Sequence, residues 1–177
     1  MAQELNSPRI RLRHWQLDDL PNWISMNSDP ITLRYFPRVF TEEESRASFE
    51  RIRIFLEIHE FGLWAAEERE TGKFMGFIGL SEQKLDGIAF TPCIEIGWRL
   101  DKSFWGKGYA TEGAIEVLKF GQEHLGISEI FSFTSKLNLP SLNVMRKIGL
   151  RARPEFDFEH PKIDEGDPTR KHVVFST

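Results

Sequence analysis

Residues 93 to 125 constrain the fold more than any other stretch of the chain. Cys93–Leu100 (CIEIGWRL) reads as a strand, and Tyr109–Leu125 reads as a helix with Ala110, Ala114, Val117, Leu118, Gly121 and Leu125 on one apolar stripe. Gly126 supplies its stop. Between them lies Trp105-Gly106-Lys107-Gly108-Tyr109-Ala110-Thr111. Glycines at 106 and 108 let backbone N–H groups turn toward a ligand, and the helix start adds partial positive charge. Together they make an anion site suited to a pyrophosphate, with Lys107 as a mobile cation at its rim. The plainer alternative is a glycine-containing loop that only caps the helix. The spacing is not that of a P-loop, which requires Gly-Lys-Ser/Thr after four intervening residues. Nor is it a dinucleotide fingerprint, because Thr111 stands where the third glycine belongs.

The strand itself carries two unusual residues. Gly97 lies inside an apolar run, where an interior glycine marks a bulge, a close backbone approach or a packing site beneath Trp98. Glu95, two residues earlier, faces the same side. It reads either as a general base for an ammonium group or as a charge paired with Arg99 or another cation.

The remaining elements interleave strands and helices. Arg9–Trp15 alternates charged and apolar residues as a half-exposed strand. Asp18, Asp19 and Pro21 open a short helix bearing Leu20, Trp23 and Ile24. Thr41 and Glu44 fit a capping box for a second helix with Phe49, Ile52 and Leu56 at helical spacing. Gly62–Glu67 and Phe74–Leu80 form a hairpin around Glu70-Thr71-Gly72-Lys73. Ile127–Thr134 is expected as a strand, Asn138 and Gly149 bracket a last helix, and the tail holds strands near Arg153–Phe158 and His172–Ser176. The class is mixed α and β around one sheet, expected as a single domain over residues 1–177.

Charge and composition exclude several functions. The net charge of −4 lacks the basic footprint of a sequence-independent nucleic-acid binder. No apolar run approaches the roughly 18 residues of a membrane helix, and the segment through Trp15 has no signal-like apolar core. A soluble, cytoplasmic protein is therefore expected. The lone Cys93 begins an apolar strand without an adjacent histidine or cation, so it reads as a packed, inert thiol. His14, His59, His124, His160 and His172 show no metal spacing, and Ser141 has no Gly-x-Ser-x-Gly context, so neither a metal centre nor a hydrolase elbow is expected. Asp157, Glu159 and His160 read as solvated charges of a tail turn.

The succession IEIGWRL, WGKGYATEG, Asn138-Leu139-Pro140-Ser141 and Lys147-Ile148-Gly149-Leu150 resembles the GCN5-related N-acetyltransferases, and within them the RimJ/RimL-like branch that modifies ribosomal-protein N-termini. The resemblance implies an α+β fold: a mostly antiparallel sheet of about six to seven strands, about four flanking helices and a splayed strand pair. It implies acetyl-coenzyme A as co-substrate and no metal. Pyrophosphate would lie on the backbone of Trp105, Gly106, Lys107, Gly108, Tyr109, Ala110 and Thr111, and the pantetheine arm along Trp98, Arg99 and Leu100 and beside Asn138. A bulge at Gly97 would open the gap that the arm fills, pairing like an added strand. An amide near Trp98 or Arg99 would hold the carbonyl oxygen. Glu95, directly or through a water, would take the proton, and Ser141 would assist the departing thiolate. Trp105 stands where the family usually has Gln or Arg, so contact there is credited to backbone amides.

The acceptor side is less defined. Residues 42 to 70 hold nine Glu against four Arg, a solvated helix face that also attracts amines. Tyr35, Phe36 and Trp64 are candidates for the walls of the acceptor groove, or for core. An α-amine of pKa about 7.8 is roughly a quarter neutral at pH 7.4, whereas lysine near 10.4 is neutral about one part in a thousand, a gap of roughly 3.5 kcal/mol. The expected acceptor is therefore a protein N-terminus, with a small amine such as a polyamine or aminoglycoside second. The rivals are a non-catalytic acyl-coenzyme A sensor and a nucleotide-binding protein, and the protein would act as a monomer or homodimer.

Overall fold

The computed structural model describes residues 2–177. Among the described residues nine strands form one sheet: β1 (Leu5–Asn6), β2 (Ile10–Arg13), β3 (Leu63–Glu68), β4 (Phe74–Gln83), β5 (Cys93–Leu100), β6 (Phe131–Ser135), β7 (Arg151–Ala152), β8 (Phe158–Glu159) and β9 (Lys171–Ser176). The helices are α1 (Leu20–Ser28), α2 (Glu42–Ile58), α3 (Tyr109–Lys119) and α4 (Leu139–Lys147). The order across the sheet is β1-β2-β3-β4-β5-β6-β9-β7, with β8 also on β9. Every pairing is antiparallel except β5 with β6. The mostly antiparallel α+β fold is thus present. The excess over six to seven strands comes from β1, β7 and β8, two-residue strands that carry no periodicity.

Local signals act as the sequence suggests. Thr41 and Glu44 close a capping box at the start of α2, and Asn138 caps α4. The helix expected to Leu125 keeps its regular form only to Lys119, then widens into a π-type turn over Phe120–His124. The strand expected over Ile127–Thr134 starts only at Phe131. The tail strand expected near Arg153–Phe158 is split: Pro154 has no N–H for a ladder and opens a 3₁₀ turn between β7 and β8.

Pleating assigns the two faces. Ile78 and Leu80 of β4 lie on the α3 side, where they approach Gly113 and Gly121. Their partners Trp98 and Ile96 on β5 share that side. Phe77 faces α1, its ring 6.0 Å from Trp23. Its partner Arg99, with Gly97 and Glu95, therefore lies on the α1 face. Gly79 is required by close approach, since a Cβ there would stand 2.1 Å from the Gly62 carbonyl oxygen.

Candidate active site

The β5–β6 pair builds the site. Parallel strands run the same way, so the segments that follow them leave from one edge of the sheet. Residues 101–109 follow β5 and residues 136–138 follow β6, which brings the glycine loop and Asn138 to the same edge, where α3 and α4 touch. The register joins the strands at Glu95 and Phe131 alone, and beyond that point they diverge. Where the ladder stops, the Ser132 hydroxyl donates to the Ile96 carbonyl at 2.9 Å. The splayed pair is there, but the bulge expected at Gly97 is not: β5 keeps an unbroken register with β4, Gly97 opposite Gly79. A Cβ at Gly97 would meet nothing within 4 Å beyond its chain neighbours, so it borders open space.

The loop has the character of an anion cradle. Gly106 and Gly108 have φ of 73° and 84°, and Gly108 is the N-cap of α3. The amides of Gly106, Lys107 and Gly108 donate to no protein acceptor among the described residues, and the first amides of α3 (Tyr109, Ala110, Thr111) point the same way by helix geometry. The loop is nonetheless pinned. Arg9 donates to the Lys107 carbonyl at 3.0 Å, pairs with Glu112 at 2.6 Å and lies over the Tyr109 ring at 4.7 Å. Burial would raise the Glu112 carboxyl, but hydrogen bonds from Ser7 and Arg9 outweigh it and hold it below the usual range. The Tyr109 hydroxyl donates to Glu68. Arg9 thus positions the loop across 98 residues of sequence, a contact that local spacing gives no sign of.

Trp105 turns inward: its ring N–H donates to the Leu100 carbonyl at 2.8 Å, and Arg34 covers the ring at 4.7 Å. The Trp105 backbone amide donates to the Lys102 carbonyl at 3.2 Å, so position 105 offers the cradle no free donor and the contact expected there is corrected to residues 106–108 and the start of α3. The Asn138 carboxamide accepts from the Ser141 amide at 3.3 Å and donates to Thr134 at 3.0 Å, which ties the start of α4 to the end of β6. The half-buried Ser141 hydroxyl has no protein partner among the described residues.

Glu95 makes no ion pair among the described residues, so its pairing with Arg99 is not seen; Arg99 instead donates to Asn27 at 2.6 Å. On its face lie Phe131 and Phe133, which pack with Phe90, Phe156 and Phe158. Burial pushes the Glu95 carboxyl up to about 8, only partly countered by Gln83 and the Phe133 amide. The same burial, with Glu95 nearby, pushes the Cys93 thiol up to about 12, an inert thiol. Of the proposed groove walls, Phe36 is 39% exposed and lies over Arg99 at 4.5 Å. Trp64 takes the core alternative: it is fully buried and donates to the Gln3 carbonyl.

A carboxyl tuned toward neutrality, a wedge beside it and a cradle of free amides at one sheet edge suit transfer from a phosphate-bearing thioester. A family model described as the acetyltransferase (GNAT) domain matches residues 9–151. The chain is 30% identical over 152 residues to FsC-acetyl coenzyme A-N(2)-transacetylase of Aspergillus fumigatus, covering 81% of this chain and 64% of that protein, less than two thirds of its length. It is 26% identical over 167 residues to the uncharacterized N-acetyltransferase YnaD of Bacillus subtilis, covering 91% and 90%. A GNAT-family acetyltransferase structure from Bacillus anthracis has a TM-score of 0.79 at 25% identity, over 99% and 98% of the two chains. RimL, a ribosomal L7/L12 alpha-N-protein acetyltransferase in complex with coenzyme A, shares the fold with a TM-score of 0.77 at 14% identity, over 99% and 97%.

Proposed function

The chain belongs to the GNAT acetyltransferase family, whose members transfer acetyl from acetyl-coenzyme A to an amine, and on that footing we propose that its acceptor is a protein N-terminal α-amine. The observation that carries this reading is the place of Glu95 on β5 where the β5–β6 ladder ends, with burial holding its carboxyl up at about 8. A base of that strength matches an α-ammonium of about 7.8 and falls about 2.4 units short of a lysine ammonium, so only the first proton moves without an uphill step.

Acetyl-coenzyme A supplies an activated acetyl thioester when bound. The free amides of residues 106–108 and the first turn of α3 hold its diphosphate, and the gap beyond Glu95 and Phe131 admits the pantetheine arm. The amine nitrogen forms the new bond to the acetyl carbon as the carbon–sulfur bond breaks. Glu95, directly or through a water, takes the ammonium proton, the Trp98 amide, which turns toward β6 while that of Arg99 faces the β4 ladder, holds the carbonyl oxygen, and Ser141 stabilises the departing thiolate by hydrogen bonding.

Peptides with a free α-amine should release coenzyme A thiol with kcat/KM at least tenfold above N-blocked peptides carrying one lysine, measured in parallel at pH 7.5. Equal rates would remove the N-terminal reading, and binding without thiol release would favour an acyl-coenzyme A sensor. The relative named FsC-acetyl coenzyme A-N(2)-transacetylase supports a second reading, an acceptor other than a protein N-terminus, and faster release with small amines than with any peptide would establish it.

The cradle is testable by itself. Gly108→Val places a β-branched residue at φ 84°, costing on the order of 1–3 kcal/mol and misdirecting the adjacent amides. Coenzyme A should bind about tenfold more weakly by titration calorimetry. An unchanged Kd would show that this turn does not hold the diphosphate.

A further inference from the structure

Two arginines of this sheet, the buried Arg13 and the half-buried Arg99, have different surroundings. Arg13 is saturated: Asp19 takes it bidentately at 2.7 and 2.8 Å, and Glu67 takes its Nε. Arg99 has no carboxylate partner among the described residues. Its guanidinium lies over four rings, Trp23 at 5.4 Å, Phe36 at 4.5 Å, Phe40 at 5.5 Å and Phe77 at 5.6 Å. One bond to the Asn27 carbonyl oxygen is its only hydrogen bond there. Nε of Arg99 and Nδ2 of Asn27 are both buried without an acceptor.

A fold that leaves a cation this isolated bears a desolvation cost that an apolar residue would avoid. Both orphaned groups are donors, so what they lack is an acceptor-only group, and a carboxylate meets a guanidinium fork in that manner. The rings supply a dry box that strengthens such a bond, and Phe36 opens its rim to solvent. The position fits the acceptor: Arg99 shares the face of Glu95 and Gly97, two residues from the wedge.

We propose that Arg99 and Asn27 form a carboxylate-recognition site on the acceptor side, selecting an amine whose chain carries an acidic group close behind it. Two to four extended residues span about 7–13 Å, which places the selected carboxylate on the second or third residue of a peptide N-terminus. This rests on the N-terminal acceptor reading above. Burial holds the Arg99 guanidinium down at about 10, which leaves it charged at neutral pH and in need of a counter-ion.

The test uses paired peptides that differ only in Glu or Gln at position two or three, with kcat/KM from thiol release. The Glu peptide should be favoured about 10- to 100-fold, as expected for desolvated charge-assisted bonds. In Arg99→Gln the Glu/Gln ratio should fall toward one. Asn27→Asp gives a second variant that places a carboxylate of the protein beside Arg99; it should raise the melting temperature and also collapse the ratio. Equal use of Glu and Gln peptides by the native protein, or a ratio that survives in both folded variants, overturns the inference while leaving the N-terminal reading in place. Silence with every peptide overturns both, and is distinguished because the neutral peptide is silent too.

Discussion

Glu95→Gln is expected to lower kcat by about 10²- to 10⁴-fold with an α-amine peptide at pH 8, the usual worth of a positioned base. The carboxamide keeps the shape of the side chain on β5 and loses only the ability to accept the proton. The sign of the pH dependence follows from the carboxyl's position near 8. Below that value the group is protonated and idle, so native kcat should rise with pH through about 8. In Glu95→Gln that inflection should vanish. Acceptor amines of different pKa separate the two contributions, because the Glu95 limb stays in place while the amine limb moves. A native inflection that tracks only the amine would remove Glu95 from the chemistry.

Stability gives a check independent of turnover. The native carboxyl binds its proton more tightly than the unfolded one, whose ordinary value is 4.5. Between about 4.5 and about 8 the folded state therefore holds more protons, and stability falls as pH rises across that window. The native protein should lose melting temperature between pH 5.5 and 8.5 relative to Glu95→Gln. A parallel pH dependence of the two proteins would mean that Glu95 is well solvated.

That tension between folding and chemistry explains which features were legible in the sequence. Capping residues, the Gly72 turn and the period-two strand act within a few residues, so Thr41, Asn138 and Cys93–Leu100 could be read directly. The pleat even placed Glu95 and Gly97 on one side. What covers that side comes from distant elements, and no local pattern encodes it. Arg99 reads as a charge that could pair with Glu95 four residues away, yet α1 and the 29–41 loop draw it toward Asn27 and the rings of Trp23, Phe36 and Phe40. The pinning of the loop by Arg9 was invisible for the same reason. The splay lacks its expected bulge because two strands can diverge simply by ceasing to pair, which needs no extra residue.

The largest stability change is expected away from the site. Asp19→Ala should destabilise the fold by about 3–5 kcal/mol, read as a lower urea midpoint with an unchanged slope. Arg13 and Asp19 are 3% and 4% exposed, so removing the carboxylate strands a guanidinium that water cannot reach. Glu67 at Nε and the His14 carbonyl at 3.0 Å from Nη1 remain to it, too few for the buried fork. The Gln16 amide loses its acceptor as well, which unfastens the 3₁₀ turn leading into α1. Asp19→Asn keeps one acceptor and should cost less. Replacing the pair together, as Arg13→Met with Asp19→Leu, should recover much of the loss, because no guanidinium is then stranded and Glu67, 16% exposed, keeps Arg11 at 3.8 Å. A double variant no more stable than Asp19→Ala would show that the pair contributes through its geometry at the β2–α1 corner rather than by neutralising a buried cation. Because α1 carries Asn27 and Trp23 against Arg99, the single variant should also weaken discrimination at the acceptor face. The fully paired arginine thereby holds in place the helix on which the unpaired one depends.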